Sequence, residues 1–383
     1  MNALAEAVTA MEDAPPGGLV PALAAALEKS LGCASLSLLL PDYHLASLHP
    51  VEDPSVVIPL DGSWEGRIFA AQRHDVRSAG NGEDGVQVGL PVTVRGDRVG
   101  VLALHLPSGP RAESLEELQL IATAVGRAIR VAERVTDQFA KARRSRPLTV
   151  AAELQWALLP GVSFSAPGVA IAAQLEPAYS VAGDAYDWAL TGNTLTLLAC
   201  DGAGRGVPAS LASTIALTAL RNARRANLPL RDQAALADQA MYAHFGGEQF
   251  VSALLMEVDL ASGRLQIIDA GSPQLWLLRS GELTEVGLDP QLPLGMFEET
   301  RYDEQYVMLE PGDRVVVVSD GVLAGRAGGE GLAIEPTIRG TRLLAADEAV
   351  RHVMRELSQH HKGEALEDDA VVLCLDWSGP TQG

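Results

Sequence analysis

The stretch at residues 195–220, LTLLACDGAGRGVPASLASTIALTAL, decides the fold of the C-terminal half of the chain. Its apolar run at 195–200 predicts a buried strand that ends at Asp201. Glycines at 202, 204 and 206 follow, and Pro208 suits the first turn of a helix. A carboxylate at a strand end, beside glycines that let the backbone come close, can hold a divalent cation. A solvated Asp in a tight strand-to-helix turn is the alternative, and this stretch alone does not separate the two.

Length and charge limit the kinds of protein this chain can be. It has 383 residues, of which 47% are hydrophobic and 20% charged. This composition is typical of folded globular proteins, and the length favours two domains. The formal net charge of −20 disfavours nucleic acid and anionic membranes as partners. A small anionic substrate is still compatible with this negative charge, because a bound metal ion can make the local electrostatic potential positive.

The cysteines and the apolar segments indicate a cytoplasmic protein. Cys33, Cys200 and Cys374 are odd in number and far apart, so we expect neither disulfides nor a cysteine metal site. A reducing compartment fits this usage best. No signal peptide and no run of about 18 apolar residues is apparent, so we expect no membrane partner.

The N-terminal part alternates helical and strand patterns. Residues 1–16 and 19–31 predict helices, 34–40 a strand, and 86–107 a hairpin around the turn at 95–97. A helix is predicted from Ser114, with Glu117 completing a capping box. Residues 19–132 resemble a GAF domain, and the resemblance rests on the motifs at 90–92 (LPV) and 95–102 (RGDRVGVL). A helical extension at 1–18 is predicted to precede this domain. The motifs typical of cyclic-nucleotide or bilin binding are not found, so the signal, a small molecule or a protein, stays unknown.

A heptad pattern follows the GAF-like region. Apolar residues recur in steps of three and four, which predicts a coiled coil; they stand at positions 118, 121, 125, 128, 132, 135, 139 and 142. We interpret this stripe as a parallel dimer helix that carries a signal out of the GAF-like domain through a helical linker at 133–160. The alternative is that the stripe packs on its own domain.

Four aspartates stand at comparable places in the C-terminal half. Asp184, Asp201, Asp320 and Asp368 each lie at the end of an apolar run beside small residues. An ionised carboxylate at the end of a buried strand is unfavourable unless a hydrogen-bond donor or a positive charge compensates it. Four such positions from four strands suggest a shared partner, and one or two hard divalent cations would provide it. No Cys/His cluster points to zinc instead.

Residues 150–376 resemble the metal-dependent serine/threonine phosphatase (PPM) family, in its bacterial SpoIIE-type branch. Seven motifs follow in family order: 153–160 (ELQWALLP), 182–187 (AGDAYD), 201–209 (DGAGRGVPA), 270–273 (AGSP), 293–295 (PLG), 311–321 (PGD…SDG) and 368–369 (DD). This sequence departs from the family pattern at Ala182, Arg205, Ser272 and Ser319, none of which removes a predicted metal ligand.

The resemblance implies an α+β chain: a GAF domain, a helical coiled-coil linker and, at 161–379, an α-β-β-α sandwich of the PPM type. It implies two Mn²⁺ or Mg²⁺ ions, bridged by Asp201 and held further by the Gly202 carbonyl, Asp184, Asp320 and Asp368. Asp187 and Asp369 would support these ligands. Arg205 would contact phosphate; the alternative is that it is a surface residue at the start of a helix.

The implied activity is hydrolysis of phosphoserine or phosphothreonine by a metal-activated water. The substrate by analogy is a phosphorylated anti-sigma-factor antagonist, and the GAF domain would regulate turnover through a homodimer whose linker repositions the helices near 208–245. Two other interpretations stay open: a pseudophosphatase that binds a phosphoprotein without turnover, and a coiled-coil scaffold with incidental acids. The second does not explain the ordered motifs.

Overall fold

The computed structural model describes residues 3–80, 84–145, 148–177, 183–271, 273–324, 331–362 and 366–380. The chain divides into two compact units, Met1–Pro147 and Leu148–Gly383. The predicted helical linker at 133–160 is therefore divided between the two units. None of the described helices is long and apolar enough to cross a membrane.

The N-terminal unit is built on one antiparallel sheet with the strand order β3-β2-β1-β6-β5-β4. Its strands are β1 (Ser35–Pro41), β2 (Ser47–Pro50), β3 (Ile58–Pro59), β4 (Asp75–Ser78), β5 (Val86–Val94) and β6 (Asp97–Leu106). Its helices are α1 (Ala3–Asp13), α2 (Leu19–Leu31), α3 (Trp64–Ala71), α4 (Ala112–Ala132) and α5 (Gln138–Ala142). The predicted hairpin is present as β5 and β6, and its turn residues Arg95 and Gly96 both have positive φ. The GAF assignment of this unit stays a prediction.

The start of α4 corrects the predicted capping box. The helix begins at Ala112, and the flanking residue Arg111 has an extended backbone and no capping side chain. Ser114 is consequently the third residue of the first turn, where its side chain does not cap the helix. The prediction placed the start two residues too late because it took the nearest Ser with a Glu three positions on as the boundary.

The heptad stripe packs inside the N-terminal unit, so the predicted coiled coil is wrong. Helix α4 ends at Ala132, and α5 starts only at Gln138. The stripe residues at 118, 121, 125, 132, 139 and 142 are buried in the core beside strands β5 and β6. Val135, the stripe member between the helices, is instead 71% exposed. A core-facing helix uses the same three-and-four spacing as a coiled-coil seam, so only the packing distinguishes them. The homodimer stays a prediction without support from this stripe.

We predict that Ile121→Ala destabilises the N-terminal unit and leaves the association state unchanged. Ile121 is fully buried, and truncating such a side chain lowers the free energy of unfolding by about 2–4 kcal/mol. The neighbouring Leu120, 56% exposed on the same helix, is the control, and Leu120→Ala should cost under about 0.5 kcal/mol. Denaturant unfolding and sedimentation measure both effects. A variant Ile121→Ala that dissociates a dimer without losing stability would restore the coiled-coil interpretation.

The C-terminal unit contains two antiparallel sheets and several helices. One sheet has the order β15-β12-β11-β10-β9 and the other β14-β13-β16-β17-β8-β7. The strands are β7 (Ser163–Ala166), β8 (Val169–Glu176), β9 (Ala185–Thr191), β10 (Thr194–Gly202), β11 (Val251–Asp259), β12 (Arg264–Ala270), β13 (Gln274–Arg279), β14 (Glu282–Glu285), β15 (Gln305–Met308), β16 (Asp313–Val318) and β17 (Ala370–Trp377). The helices are α6 (Val150–Leu158), α7 (Val207–Arg225), α8 (Leu230–Phe245), α9 (Asp320–Leu323), α10 (Ile334–Gly340) and α11 (Ala346–His360).

The two sheets face each other and carry helices on their outer sides. Along β10, Leu195 and Leu197 enter the core between the sheets, whereas Leu198 and Cys200 pack under α7 and α8. Along β16 and β17, alternate residues likewise enter the shared core or pack under α10 and α11. Both faces of the central strands are buried, which explains their continuous apolar runs. The predicted α-β-β-α layering is present, and the three cysteines are free and buried.

Candidate active site

Four separate segments bring the predicted aspartates together. Asp184 immediately precedes β9, and Asp201 lies next to the last residue of β10. Asp320 is the first residue of α9, which follows β16, and Asp368 stands two residues before β17. Since β9 and β10 belong to one sheet and β16 and β17 to the other, the aspartates come from both layers. They are close enough to act on one another electrostatically.

Glycines let these segments approach each other at backbone distance. A Cβ on Gly183 would overlap the main-chain oxygen of Gly202, and a Cβ on Gly321 would overlap that of Asp369. The Gly202 N–H donates to the Gly183 carbonyl at 3.0 Å, which ties the start of β9 to the end of β10. Side chains at these two positions would push the acidic segments apart, so the glycines of the G-D and D-G motifs are needed for the convergence.

Burial and mutual repulsion raise the pKa values of these carboxyl groups. Asp184 is 1% exposed, and desolvation followed by the charges of Asp201 and Asp369 raises its pKa well above the ordinary range. Burial and Asp320 raise the pKa of Asp201 to about 6. Asp184 has a smaller, opposing effect and lowers the pKa of Asp201. Burial and Asp320 also raise the pKa of Asp368, against a smaller opposing effect of Arg205.

The donor set fits a hard divalent cation. Among the described residues, Oδ2 of Asp184 is buried and has no hydrogen-bond partner, so one acceptor of this carboxyl group is unused. The Ser319 hydroxyl bonds to the Asp184 carboxylate and accepts the Val371 N–H at 2.9 Å. All candidate ligands are oxygens, which suit Mg²⁺ and Mn²⁺. Within the described ranges, however, no three Asp, Glu, His or Cys side chains already have the arrangement of a metal site.

The structure assigns different surroundings to the three predicted support residues. Asp369 is 1% exposed, and its Oδ2 accepts hydrogen bonds from Gln155 and from the Gly183 N–H. Arg205 is exposed just before α7, within electrostatic reach of Asp368. The positions at which Ala182 and Ser272 depart from the family pattern lie outside the described residues.

Asp187 supports helix α7. Its buried carboxylate accepts from Arg221 at 2.8 Å and from Arg224 at 2.9 Å. Arg221 also donates to the carbonyl of Leu158, the last residue of α6, at 2.6 Å. The ion pairs of Asp187 therefore connect α7 to β9. Arg221 extends this connection to the end of α6.

Sequence reasoning missed two residues that contact the cluster. Gln155 was noted only as part of the motif at 153–160, and Ser319 only as a departure from Thr. Gln155 and Glu153 are the two polar residues of the mostly apolar helix α6, and this was a usable signal for Gln155, because a buried amide needs partners. For Ser319 the sequence carries no comparable signal, since its two contacts come from β17 and from the segment before β9.

We predict that Asp187→Asn destabilises the C-terminal unit without changing its affinity for Mn²⁺. The substitution removes the carboxylate that Arg221 and Arg224 both contact, and the side chains of these arginines are 22% and 17% exposed. Partial solvation limits the loss in unfolding free energy to about 1–3 kcal/mol. The control Asp232→Asn, in an exposed pair, should cost about 0.5 kcal/mol or less. A weakened Mn²⁺ affinity in calorimetry at unchanged stability would instead make Asp187 a support of the metal site.

We predict that Asp201→Asn stabilises the metal-free protein above pH 6. The native pKa of Asp201, about 6, lies above its ordinary value of 3.8, so the native state holds the proton more tightly than the unfolded chain. The free energy of unfolding should therefore fall as the pH rises from about 4 through 6, by about 1–2 kcal/mol after solvent screening. The variant lacks this charge, and its stability should depend less on pH. Urea unfolding in chelator measures both slopes, with Asp232→Asn as control; equal slopes for Asp201→Asn and wild type would refute the prediction.

A comparison with family models finds one match in the C-terminal unit. Residues 191–378, just under half of the chain, match the family described as Stage II sporulation protein E (SpoIIE). None of the curated proteins compared with the chain matches it.

Several solved structures are similar to the C-terminal unit. The PP2C phosphatase domain with a regulatory fragment of SpoIIE from Bacillus subtilis is 21% identical, with a TM-score of 0.48 and coverage of 55% of this chain and 64% of that one. The RsbU and RsbW domains of a Mycobacterium tuberculosis protein are 22% identical, with a TM-score of 0.49 and coverage of 58% and 63%. The catalytic domain of the serine/threonine phosphatase PstP, in complex with two manganese ions, is 19% identical, with a TM-score of 0.42 and coverage of 54% and 97%.

The chain spans less than two thirds of the length of the first two structures. The family match agrees with the predicted SpoIIE-type resemblance over residues 191–378. Residues 191–378 of this chain thus carry the sequence pattern of the SpoIIE family.

Proposed function

We propose that the C-terminal unit is a metal-dependent protein phosphatase that hydrolyses phosphoserine or phosphothreonine. The observation that carries the proposal is the convergence of Asp184, Asp201, Asp320 and Asp368 from four segments, with a buried, unpartnered oxygen on Asp184. A cluster of like charges costs stability unless it serves a cation, and a phosphate ester is a substrate whose negative charge a cation neutralises.

Each predicted ligand has a distinct place in the proposed site. Asp201, which lies within electrostatic reach of Asp184, Asp320 and Asp368, would be the bridging ligand of two Mn²⁺ or Mg²⁺ ions. Asp184 and the Gly202 carbonyl would serve one ion, and Asp320 and Asp368 the other. Bound ions of this kind lower the pKa of a coordinated water and neutralise the phosphoryl group. The carboxylates must ionise and turn toward one another to complete the site.

Arg205 is the proposed phosphate contact. It is exposed at the start of α7 and lies within electrostatic reach of Asp368. A guanidinium here presents a planar fork of donors that matches phosphate oxygens. Its charge also offsets part of the repulsion between the acidic cluster and an incoming phosphate.

The substrate and the regulation follow from the resemblance and from the charge. We propose a phosphorylated anti-sigma-factor antagonist as substrate, and regulation by a signal bound to a GAF domain in the N-terminal unit. The net charge of −20 disfavours nucleic acid as a partner. A cytoplasmic location and a homodimer belong to the same proposal.

The proposal predicts Mn²⁺-dependent hydrolysis of p-nitrophenyl phosphate that Asp201→Asn abolishes. Losing the bridging carboxylate should lower kcat at least about 100-fold, because both ions lose a ligand. The exposed Asp232→Asn is the matched control and should retain wild-type turnover. A phosphoserine peptide tested in parallel reports on the substrate class.

A pseudophosphatase is the second candidate, and the same experiment separates it. A wild-type protein that binds Mn²⁺ in calorimetry but turns over no phosphoester would favour a binding module. A folded wild-type protein with no affinity for Mn²⁺ or Mg²⁺ would overturn the metal-dependent phosphatase.

A further inference from the structure

Helix α6 reaches the carboxylate cluster through one buried side chain. Gln155, on the C-terminal half of this helix, is 0% exposed. Its Nε2 donates to the main-chain oxygen of Asp184 at 2.8 Å and to Oδ2 of Asp369 at 2.6 Å. Both partners are acceptors only, which fixes the amide nitrogen on this side. One side chain thus joins the acidic segment before β9, in one sheet, to the acidic segment before β17, in the other.

Asp369 extends this connection to the proposed metal ligands. Its Oδ2 also accepts the Gly183 N–H at 3.0 Å, next to Asp184. Its own N–H donates to Oδ1 of Asp368 at 2.9 Å. Asp369 is therefore bonded to the Asp184 segment through its carboxylate and to the Asp368 carboxylate through its main-chain N–H, so a displacement of the whole residue would move both neighbours.

We propose that Gln155 is a positioning residue that sets the spacing between the Asp184 and Asp368 segments, so that the placement of α6 controls the affinity of the site for divalent cations. The inference rests on the proposed function and adds a control element to it. Groups that orient metal ligands from outside typically change metal affinity 10- to 100-fold when they are removed.

The amide oxygen of Gln155 supports a role beyond stability. Among the described residues, Oε1 is buried without a hydrogen-bond partner, and such an acceptor is destabilising. An apolar residue would avoid that cost. Gln155 therefore makes its two donated hydrogen bonds at a cost in folding stability. Such a cost is expected of a residue whose role is to position the Asp184 and Asp369 segments.

Helix α7 also contacts helix α6 through hydrogen bonds. The Ser210 hydroxyl donates to the Ala151 carbonyl at 3.2 Å, and Arg221 donates to the Leu158 carbonyl at 2.6 Å. The helix is the first element of the C-terminal unit and is capped by Thr149, two residues after the division at Pro147. A displacement of α6 that originates before Thr149 would therefore act on the cluster through Gln155 and on α7 through its carbonyls.

Gln233 offers a matched control. It is also buried, at 3% exposure, and lies on α8. Its Nε2 donates to a main-chain carbonyl, that of Leu228 at 2.9 Å, and to a carboxylate, that of Glu257 at 3.0 Å. Gln155→Ala and Gln233→Ala thus remove the same two kinds of hydrogen bond. Only the hydrogen bonds of Gln155 involve residues of the acidic cluster.

The experiment compares full-length wild type, Gln155→Ala, Gln155→Glu and Gln233→Ala in three measurements. Calorimetry gives the Mn²⁺ affinity, steady-state hydrolysis of p-nitrophenyl phosphate gives kcat and the Mn²⁺ concentration for half-maximal rate, and hydrogen exchange in chelator gives the protection of the Gly183 amide. We expect both Gln155 variants to weaken Mn²⁺ binding at least about tenfold and to speed exchange at Gly183. Gln233→Ala should lower the melting temperature at least as much as Gln155→Ala and leave Mn²⁺ affinity and kcat at wild-type values.

The outcomes separate the inference from the function on which it rests. Wild-type Mn²⁺ affinity and kcat in Gln155→Ala, with an active wild-type protein, would overturn the positioning role alone. An equal loss of affinity in Gln233→Ala would also overturn it, because the effect would then follow general destabilisation. A wild-type protein that neither binds Mn²⁺ nor hydrolyses the ester would overturn the proposed function, and the inference with it.

Discussion

The crowding of carboxylates at the strand ends is the constraint on which the rest of the C-terminal unit depends. Two buried aspartates, Asp184 and Asp369, lie close to Asp201; burial raises the pKa of Asp184 most, and the charges of Asp201 and Asp369 raise it further. Charges of one sign in a desolvated place are unfavourable unless protons, donors or cations compensate them. The surrounding structure supplies donors at Gln155, Ser319 and Gly183, and leaves one oxygen of Asp184 without a partner.

The sandwich makes such crowding possible because its two sheets are rigid and buried on both faces. Their central strands bury alternate residues in the shared core and under the outer helices, so the ends of β9, β10, β16 and β17 are held in place. Small residues then close the remaining distance, since Gly183 and Gly321 touch main-chain oxygens of neighbouring segments. The helices α6 and α7 are attached to these ends by hydrogen bonds and by the Asp187 ion pairs, which gives the cluster a connection to the start of the unit.

The stripe at 118–142 shows where periodicity misleads. Its spacing fits both a coiled-coil seam and a helix on a core, and the length of the pattern favoured the first interpretation. The interruption between Ala132 and Gln138 decides for the second, because Phe139 and Ala142 return to the same core as Ile121. Any regulation of the C-terminal unit therefore needs a route other than this seam, and α6 is the route that we propose.

The sequence by itself determined the buried strand β10 and the helix start that follows it, and it singled out the four aspartates, because buried runs and the residues that end them are local properties. The apolar run at 195–200 and Pro208 predicted β10 and the start of α7 to within one or two residues. The sequence did not determine which polar side chains compensate the cluster. Gln155 lies 29 positions before Asp184 and 214 before Asp369, so their contact exists only once both sheets and α6 have packed. The tertiary structure also decided that Asp187 serves α7, because only packing brings Arg221 and Arg224 to the same buried carboxylate.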